Sequence, residues 1–350
     1  MTAPLLVATA AFAAAELSPK VPFAKPDAAL VAVLSGVEQP CELVLLDRDA
    51  KELARATANS GEIDLATIFP AIRSVERAVR VQTIVGGTPE GAPLLVVPLI
   101  SRPTIRTAQD TRPDGTTKYT RVMGWGDRPI DPTDERQAQL ATTWTKGDPT
   151  PPSGFRLERD RDVIFETTAG RLRFAMCPDE APNTARNFVE LAASGFYDGT
   201  IVHRIVPADR NGLPFVIQGG DPTGSGDGGP GYDIALEPSR LPHDFGVISM
   251  ARNDWPDSAG SQWFICLGRA ATARLDGQYC AFGYAVEGTD AILKTAAGEL
   301  ADPATGRPKS PETVTRAFVI DAPAWTPGKG RPDARVEIPA PQPKPVESDR

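Results

Sequence analysis

Histidine is nearly absent. The 350 residues include two, His203 and His243, too few for a His-built metal site and a poor supply of bases for a hydrolase. The four cysteines, Cys41, Cys177, Cys266 and Cys280, form no Cys-x-x-Cys pair, so neither a zinc nor a thioredoxin-like reading has support. Neighbouring strands could carry Cys266 and Cys280, and isolated buried thiols are the expectation. Basic charge is short as well. Against 45 Asp and Glu stand 37 Lys and Arg, a formal net charge of −8, with no basic run to offset it, which argues against a general nucleic-acid binder. No apolar run is long enough to span a bilayer. Ala3 to Ala15 is almost wholly apolar, yet it lacks the Lys or Arg that usually precedes the core of a secretory signal. Residues 1–20 therefore read either as a signal of an exported (periplasmic) protein or as an apolar N-terminal segment of a cytoplasmic one.

Turn formers are what the chain has in plenty, with 35 Pro and 31 Gly. They favour a β-rich, loop-rich protein over a helical bundle, and the length suggests two domains. Ala29 to Leu34, Cys41 to Leu46, Glu52 to Ala58, Ile63 to Phe69, Ala78 to Val85 and Leu94 to Ile100 read as short strands separated by turn clusters such as Asn59-Ser60-Gly61 and Gly86-Gly87. That spacing predicts a small β-sandwich-like domain over 21–125, with one further strand at Tyr119 to Met123. It carries no catalytic constellation and reads as a docking or spacer module of unknown partner. Residues 126–154 end in Asp148-Pro149-Thr150-Pro151-Pro152-Ser153-Gly154, a linker composition. A second domain follows over 155–322. It opens with a hairpin, Asp162 to Thr168 and Arg171 to Met176, then a helix from Pro182 to Ser194 whose Ala185, Phe188, Val189 and Ala192 share one face. Residues 323–350, with Pro339-Ala340-Pro341-Gln342-Pro343-Lys344-Pro345, are expected to form a Pro-rich extended tail.

One motif misleads. Gly224-Ser225-Gly226-Asp227-Gly228-Gly229 matches the dinucleotide fingerprint letter by letter, but Pro230-Gly231 follows at once and no helical periodicity comes after. The fingerprint needs a helix N-terminus to hold pyrophosphate, so this is a Gly-rich loop. Four other segments cluster in order. They are His203-Arg204-Ile205-Val206-Pro207 with Phe215-Val216-Ile217-Gln218-Gly219-Gly220-Asp221-Pro222; Gly246-Val247-Ile248-Ser249-Met250-Ala251-Arg252; Pro256-Asp257-Ser258-Ala259-Gly260-Ser261-Gln262-Trp263-Phe264-Ile265; and Leu275-Asp276-Gly277-Gln278-Tyr279-Cys280-Ala281-Phe282-Gly283. Together, in this order and spacing, they closely resemble the cyclophilin family. The resemblance covers nearly all of the second domain and about half of the chain.

The resemblance implies a closed eight-stranded antiparallel β-barrel with two capping helices, and a surface groove that binds X-Pro segments of client proteins. It implies peptidyl-prolyl cis/trans isomerisation that assists folding, without metal or cofactor. Arg204 matches the catalytic arginine and Gln218 its polar partner. Phe215, Val216, Phe264 and Leu275 match the apolar wall around the proline ring, and Ala251 and Gln262 the positions that hold the peptide backbone. Tyr279 falls where many members have His. Of the pair Trp263 and Phe264, one must face inward, and the resemblance puts Phe264 in the groove. His203 reads as structural.

Three departures stand beside the resemblance. Ala208 to Pro214 is longer than usual before Phe215, Arg274 stands where many members have Trp, and Val216 replaces the commoner Met. A catalytically weak peptide-binding or scaffold module is the alternative reading, and the insertion is its best argument. A hydrolase built on His203 or His243 lacks an ordered nucleophile–base–carboxylate set in the sequence, and neither Ser258 nor Ser261 has a nucleophile motif around it. Because Trp at the Arg274 position is associated with tight cyclosporin binding, the expected outcome is isomerase activity that cyclosporin inhibits only weakly. Nanomolar inhibition of the purified protein would contradict this.

Overall fold

The computed structural model describes residues 14–100, 104–112, 115–125, 128–129 (backbone only) and 152–338. The chain divides into two units, each assembled from separated stretches. Of the described residues, the first takes 14–100, 152–161 and 321–332, and the second takes the remainder.

In the first unit a six-stranded sheet runs in the spatial order Phe23–Ala24, Phe155–Arg159, Thr88–Pro98, Val79–Val85, Cys41–Leu46, Glu52–Ala58. A three-stranded sheet, Glu16–Pro19, Val31–Ser35 and Gly61–Asp64, supplies the second layer. Alternate residues of both layers meet in one core. Leu17, Ala32 and Leu34 come from the small sheet, and Leu43, Leu45, Val81, Leu94 and Val96 from the large one. This is the packing that the alternation of short strands predicts.

The start and the end of the second domain both differ from the sequence reading. Phe155–Arg159, expected to open the second domain, pairs antiparallel with Thr88–Pro98, Leu157 opposite Val96. Phe155 and Leu157 project from one face of that strand and are both buried in the first unit's core, so burial of apolar area decides where the strand belongs. The expected tail is also partly folded. Trp325 is buried, its backbone N–H donates to Gln82 Oε1 at 2.7 Å, and the Arg80 guanidinium lies 4.0 Å from its ring centre. Val336 donates from its backbone to Ala285 O in the second unit at 2.9 Å. A Pro-rich composition conceals one aromatic anchor large enough to fold the segment around it. The Pro339 to Pro345 run and residues 1–13 lie outside the described residues, and Glu16–Pro19, inside the segment read either as a signal or as an apolar N-terminal segment, is a strand.

The second unit is built on an eight-stranded sheet in the order Arg204–Val206, Val216–Gly219, Trp263–Cys266, Val247–Met250, Ala281–Glu287, Gly170–Met176, Arg161–Thr167, Val314–Asp321. It curls, and beside its first and last strands an isolated bridge joins Ile201 to Thr313. Register sets the chemistry of its two faces. Ile205, Ile217, Ile265 and Ile248 pair in one cross-strand row and enter the core. One residue along, Arg204, Gln218, Phe264 and Ser249 form the adjacent row on the opposite face, as a period of two requires.

Inside, Phe165 is the hub of the aromatic core. Its ring centre lies 5.5 Å from Phe174, 5.6 Å from Phe188, 5.4 Å from Tyr197 and 5.7 Å from Trp263. Helices Pro182–Ala193 and Thr289–Ala296 pack against this core through Phe188 and Ile292. Pro182 opens the first helix, where a missing N–H costs nothing. The next two amides, of Asn183 and Thr184, donate to the distant Glu237 carboxylate at 3.1 and 2.8 Å, a cap that no local pattern announces. Among the described residues no helix is long and apolar enough to cross a membrane.

A hairpin, Ile105–Thr111 with Lys118–Trp125, also belongs to this second unit, although the sequence reading assigned it to the first domain. Its edge is received by side chains. Gln278 accepts from Val122 N at 2.9 Å and donates to Val122 O at 2.8 Å, pairing with it much as a neighbouring strand would. The Asp254 carboxylate accepts from Thr120 N and Oγ1 at 2.9 and 3.3 Å.

Truncating the hub should be severe. Phe165→Ala is expected to lower the stability of the second unit by about 3–5 kcal/mol, the cost of a large aromatic cavity. Urea denaturation checks this, and a loss below about 1 kcal/mol would mean that the cluster collapses to fill the space.

Candidate functional site

The outward row of the sheet gathers three of the residues that the sequence singled out, Arg204, Gln218 and Phe264. Arg204 is exposed and opposite Gln218, and its Nη1 donates to Gln218 Oε1 at 3.1 Å. The Gln218 amide passes the contact on, donating to Gln262 Oε1 at 3.0 Å. Gln262 Nε2 in turn donates to Gly226 O and Gly228 O, each at 2.8 Å. The side chain that orients Arg204 is therefore fastened, through one further glutamine, to the Gly-rich loop.

That loop has a structural purpose. The Asp221 carboxylate is fully buried and accepts from Thr223 N at 2.7 Å, Thr223 Oγ1 at 2.8 Å, Gly226 N at 2.5 Å and Gly228 N at 3.2 Å. A Cβ on Gly228 would collide with Asp221 Oδ1, and Gly226 sits at φ +99°, so both positions demand glycine. Burial pushes the Asp221 carboxyl up, but the Thr223 and glycine donors outweigh it and hold the group at about 2. The loop's amides are turned onto a carboxylate of the protein itself, which explains the false dinucleotide match.

Beside this polar chain lies an apolar cluster. Val216, Phe264, Cys266 and Leu275 are buried together, with Phe215, Ala251, Tyr279 and Val206 packed on them. Tyr279 meets Phe264 edge-on at 5.5 Å. Trp263 enters the core and Phe264 joins the outward cluster. Every residue expected at the site thus belongs either to this cluster or to the polar chain of Arg204, Gln218 and Gln262 beside it. Ala251 N donates to Gln262 O at 2.9 Å, so its amide is already engaged. His203 is buried beside the exposed Arg204, consistent with a structural role.

Sequence reasoning missed a set of three. His243 Nδ1 lies 3.0 Å from Asp276 Oδ1 and its Nε2 lies 2.9 Å from Ser249 Oγ. This is an ordered serine–histidine–carboxylate arrangement where the sequence offered none. Its members are scattered over Ser249, His243 and Asp276 without a local motif, so only folding reveals it. His243 and Ser249 are essentially inaccessible, at 1% and 0% exposure, and a nucleophile sealed from substrate cannot hydrolyse one. The His243 ring instead stacks on Phe264 at 5.8 Å and 15°, which fixes the aromatic plane. Burial pushes the His243 imidazole down, against the pull of Asp276. Cys266 and Cys280 are free buried thiols, pushed well up by desolvation and so inert as nucleophiles.

The insertion at 208–214 is organised by Asp209. Its carboxylate accepts from Asn211 N at 2.9 Å and Leu213 N at 3.2 Å, and pairs with Arg274 Nη1 at 2.8 Å. The Arg274 guanidinium lies 4.4 Å from the Phe215 ring centre. Arg274, at the position where the resemblance expects Trp in many members, thus clasps the inserted loop and caps the Phe215 ring. Among the described residues no cluster of His, Cys, Asp or Glu could hold a metal ion.

Comparison with known proteins places the stretch that carries this face in a family. A family model described as "Cyclophilin type peptidyl-prolyl cis-trans isomerase/CLD" matches residues 162–319, and the stretch that carries the curled sheet runs over 162–320. The chain is 43% identical over 121 residues to a peptidyl-prolyl cis-trans isomerase of Synechococcus elongatus, spanning 35% of this chain and 77% of that protein. It is 35% identical over 164 residues to the peptidyl-prolyl cis-trans isomerase ppi1 of Schizosaccharomyces pombe, 45% of this chain and 99% of that protein. Among solved structures, a Cryptosporidium parvum cyclophilin type peptidyl-prolyl cis-trans isomerase crystallised in the presence of the dipeptide Ala-Pro matches at 30% identity and a TM-score of 0.41, over 46% of this chain and 99% of that one.

The loop makes its own prediction. Asp221 has its folded pKa depressed from the ordinary 3.8 to about 2, so its contribution to stability is complete above the unfolded value and is lost as pH falls through the folded one. Between about pH 4 and pH 2 the protein should lose stability with a slope to which this group adds up to one proton. Asp221→Asn should be less stable at pH 6 and show a shallower acid slope in denaturant titrations. An unchanged slope would remove Asp221 from the account.

Proposed function

The chain belongs to the cyclophilin-type peptidyl-prolyl cis-trans isomerase family, an isomerase enzyme class, and on that premise we propose that Arg204 is its catalytic cation, held by Gln218, with Phe215 completing the reactive corner. Val216, Phe264, Leu275 and Tyr279 form the wall that grips the prolyl ring, and Ala251 and Gln262 border the path of the peptide backbone.

The reaction asks little in covalent terms. Rotation about an X-Pro amide breaks the delocalisation of the nitrogen lone pair, a barrier of ~18–20 kcal/mol, and unaided exchange takes tens to hundreds of seconds. Acceleration to milliseconds needs about four decades, or ~5.5 kcal/mol of preferential transition-state stabilisation. In the twisted amide the nitrogen becomes pyramidal and recovers its lone pair. A guanidinium donor aimed at it stabilises that state and gains nothing equivalent from the planar amide. Arg204 stays charged throughout and offers donors in a fixed fork. Gln218 accepts one of those donors and so leaves the others to the substrate. The ring stays gripped while the carbonyl side turns.

The observation that carries this reading is the outward row itself. Strand pairing puts Arg204, Gln218 and Phe264 side by side, a cation next to an apolar wall with no nucleophile between them. Clients are proline-containing segments of flexible chains, and folding assistance follows from the rate alone.

NMR exchange on a short Ala-Pro peptide tests it. The protein should bring cis and trans resonances into fast exchange. Arg204→Ala should lower kcat/KM by about 10²–10³-fold, the usual cost of removing one preorganised donor, with the fold unchanged by circular dichroism. Peptide shifts without faster exchange would make the groove a reading module instead of an enzyme site.

A further inference from the structure

Charge around the groove runs against the charge of the chain. The whole sequence is acidic, at −8, yet three guanidiniums border the apolar cluster. Arg204 stands beside Gln218, Arg274 lies over Phe215, and the Arg252 guanidinium lies 4.8 Å from the ring centre of Tyr279. The carboxylates nearby have other hydrogen-bond partners, and two of them are paired with arginines. Asp209 pairs with Arg274, Asp254 accepts from Thr120, and Asp276 holds His243 and Arg269. Among the described residues neither Arg204 nor Arg252 has a carboxylate partner.

Arg252 is held where a peptide would meet it. It follows Ala251 directly in sequence, and Ala251 packs on the apolar cluster. Its Nε donates to Gln278 O at 3.0 Å, and its Nη1 to Asn253 O and Asp254 O at 2.8 and 3.2 Å. Three carbonyls and one aromatic face thus fix the guanidinium plane without an ion pair to a carboxylate among the described residues. The side chains of Gln278 and Asp254 are in turn tied to the hairpin at Val122 and Thr120, so the support is braced from behind. A preordered guanidinium loses little entropy on binding and matches a carboxylate or phosphate. The net negative charge of the whole chain reaches this point only weakly, because charges more than about 8 Å away are screened at physiological salt.

We propose that Arg252 is a specificity-determining residue that reads an anionic side chain flanking the X-Pro bond, so that the preferred substrates are acidic or phosphorylated proline-containing segments. This rests on the groove being the peptide site assigned above.

The test uses the full chain and four short peptides that share one Ala-Pro core and differ only at a flanking position, carrying Glu, phosphoserine, Gln or Lys. Chemical-shift titration gives Kd for each, and exchange spectroscopy on the same samples gives turnover. The Glu peptide should bind about threefold to fivefold tighter than the Gln peptide, with Lys weakest and the gap closing in 0.5 M NaCl. Arg252→Gln should abolish the Glu-to-Gln ratio and Arg252→Lys should keep part of it. The ratio within each protein is the readout, so a general loss of affinity does not imitate the effect. Should Arg252→Gln fail to fold, the salt series on the natural protein and the Arg252→Lys ratio decide. A preference confined to phosphoserine still supports an anion reader at Arg252 and identifies phosphate as the source. Equal binding of all four peptides, or a ratio that survives in Arg252→Gln, overturns the proposal. Failure of every peptide to exchange faster would count against the isomerase reading alone, since the Kd series stands without turnover.

Discussion

Everything at the groove depends on the parity of one set of strand pairings. A shift of a single residue between Arg204–Val206 and Val216–Gly219 would carry Arg204 into the core and push Ile205 into water. The isoleucine row prevents it, because four buried branched side chains in adjacent strands leave only one register in which all of them are dry. The geometry of the proposed site is therefore a by-product of core burial. The cation, the glutamine and the aromatic are neighbours because the residues next to them in sequence are oily.

The outward face needs its own support, since an exposed row is held by fewer contacts. Two devices supply it. On the polar side, Asp221 gathers the Gly-rich loop, the loop holds Gln262, and Gln262 holds Gln218. On the apolar side, His243 is fixed by Asp276 and Ser249 and lies flat on Phe264. Both devices end at residues of the groove and begin at buried carboxylate or histidine chemistry that a substrate does not reach.

Legibility of the sequence followed the range of the interaction. Strand alternation is local, so the curled sheet, the helix from Pro182 and the division of Trp263 from Phe264 could all be anticipated from short patterns or from the ordered motifs. The family was legible because four segments occur together in one order, whereas any one of them is an ordinary strand and turn. Pairings between distant residues left no trace. Nothing near Gln278 announces that its amide will substitute for a strand beside Val122. Nothing in the Pro-rich stretch after Ala322 shows that Trp325 will find Arg80 and Gln82. Phe155 and Leu157 looked like the start of a domain because a Pro-rich linker precedes them, and composition says nothing about which sheet has a vacant place.

The way the two units are threaded has a consequence of its own. The first unit is not finished when its N-terminal strands are made. Its sheet waits for Phe155–Arg159, and the cluster around Val44, Leu46 and Ile84 waits for Trp325, which emerges from the ribosome only after the whole curled sheet of the second unit has been synthesised. A chain that had emerged just short of Trp325 would hold every strand of the curled sheet while its companion unit still lacked a piece of its interior. Expression of either unit by simple truncation would face the same difficulty, because no single cut in the chain separates one from the other.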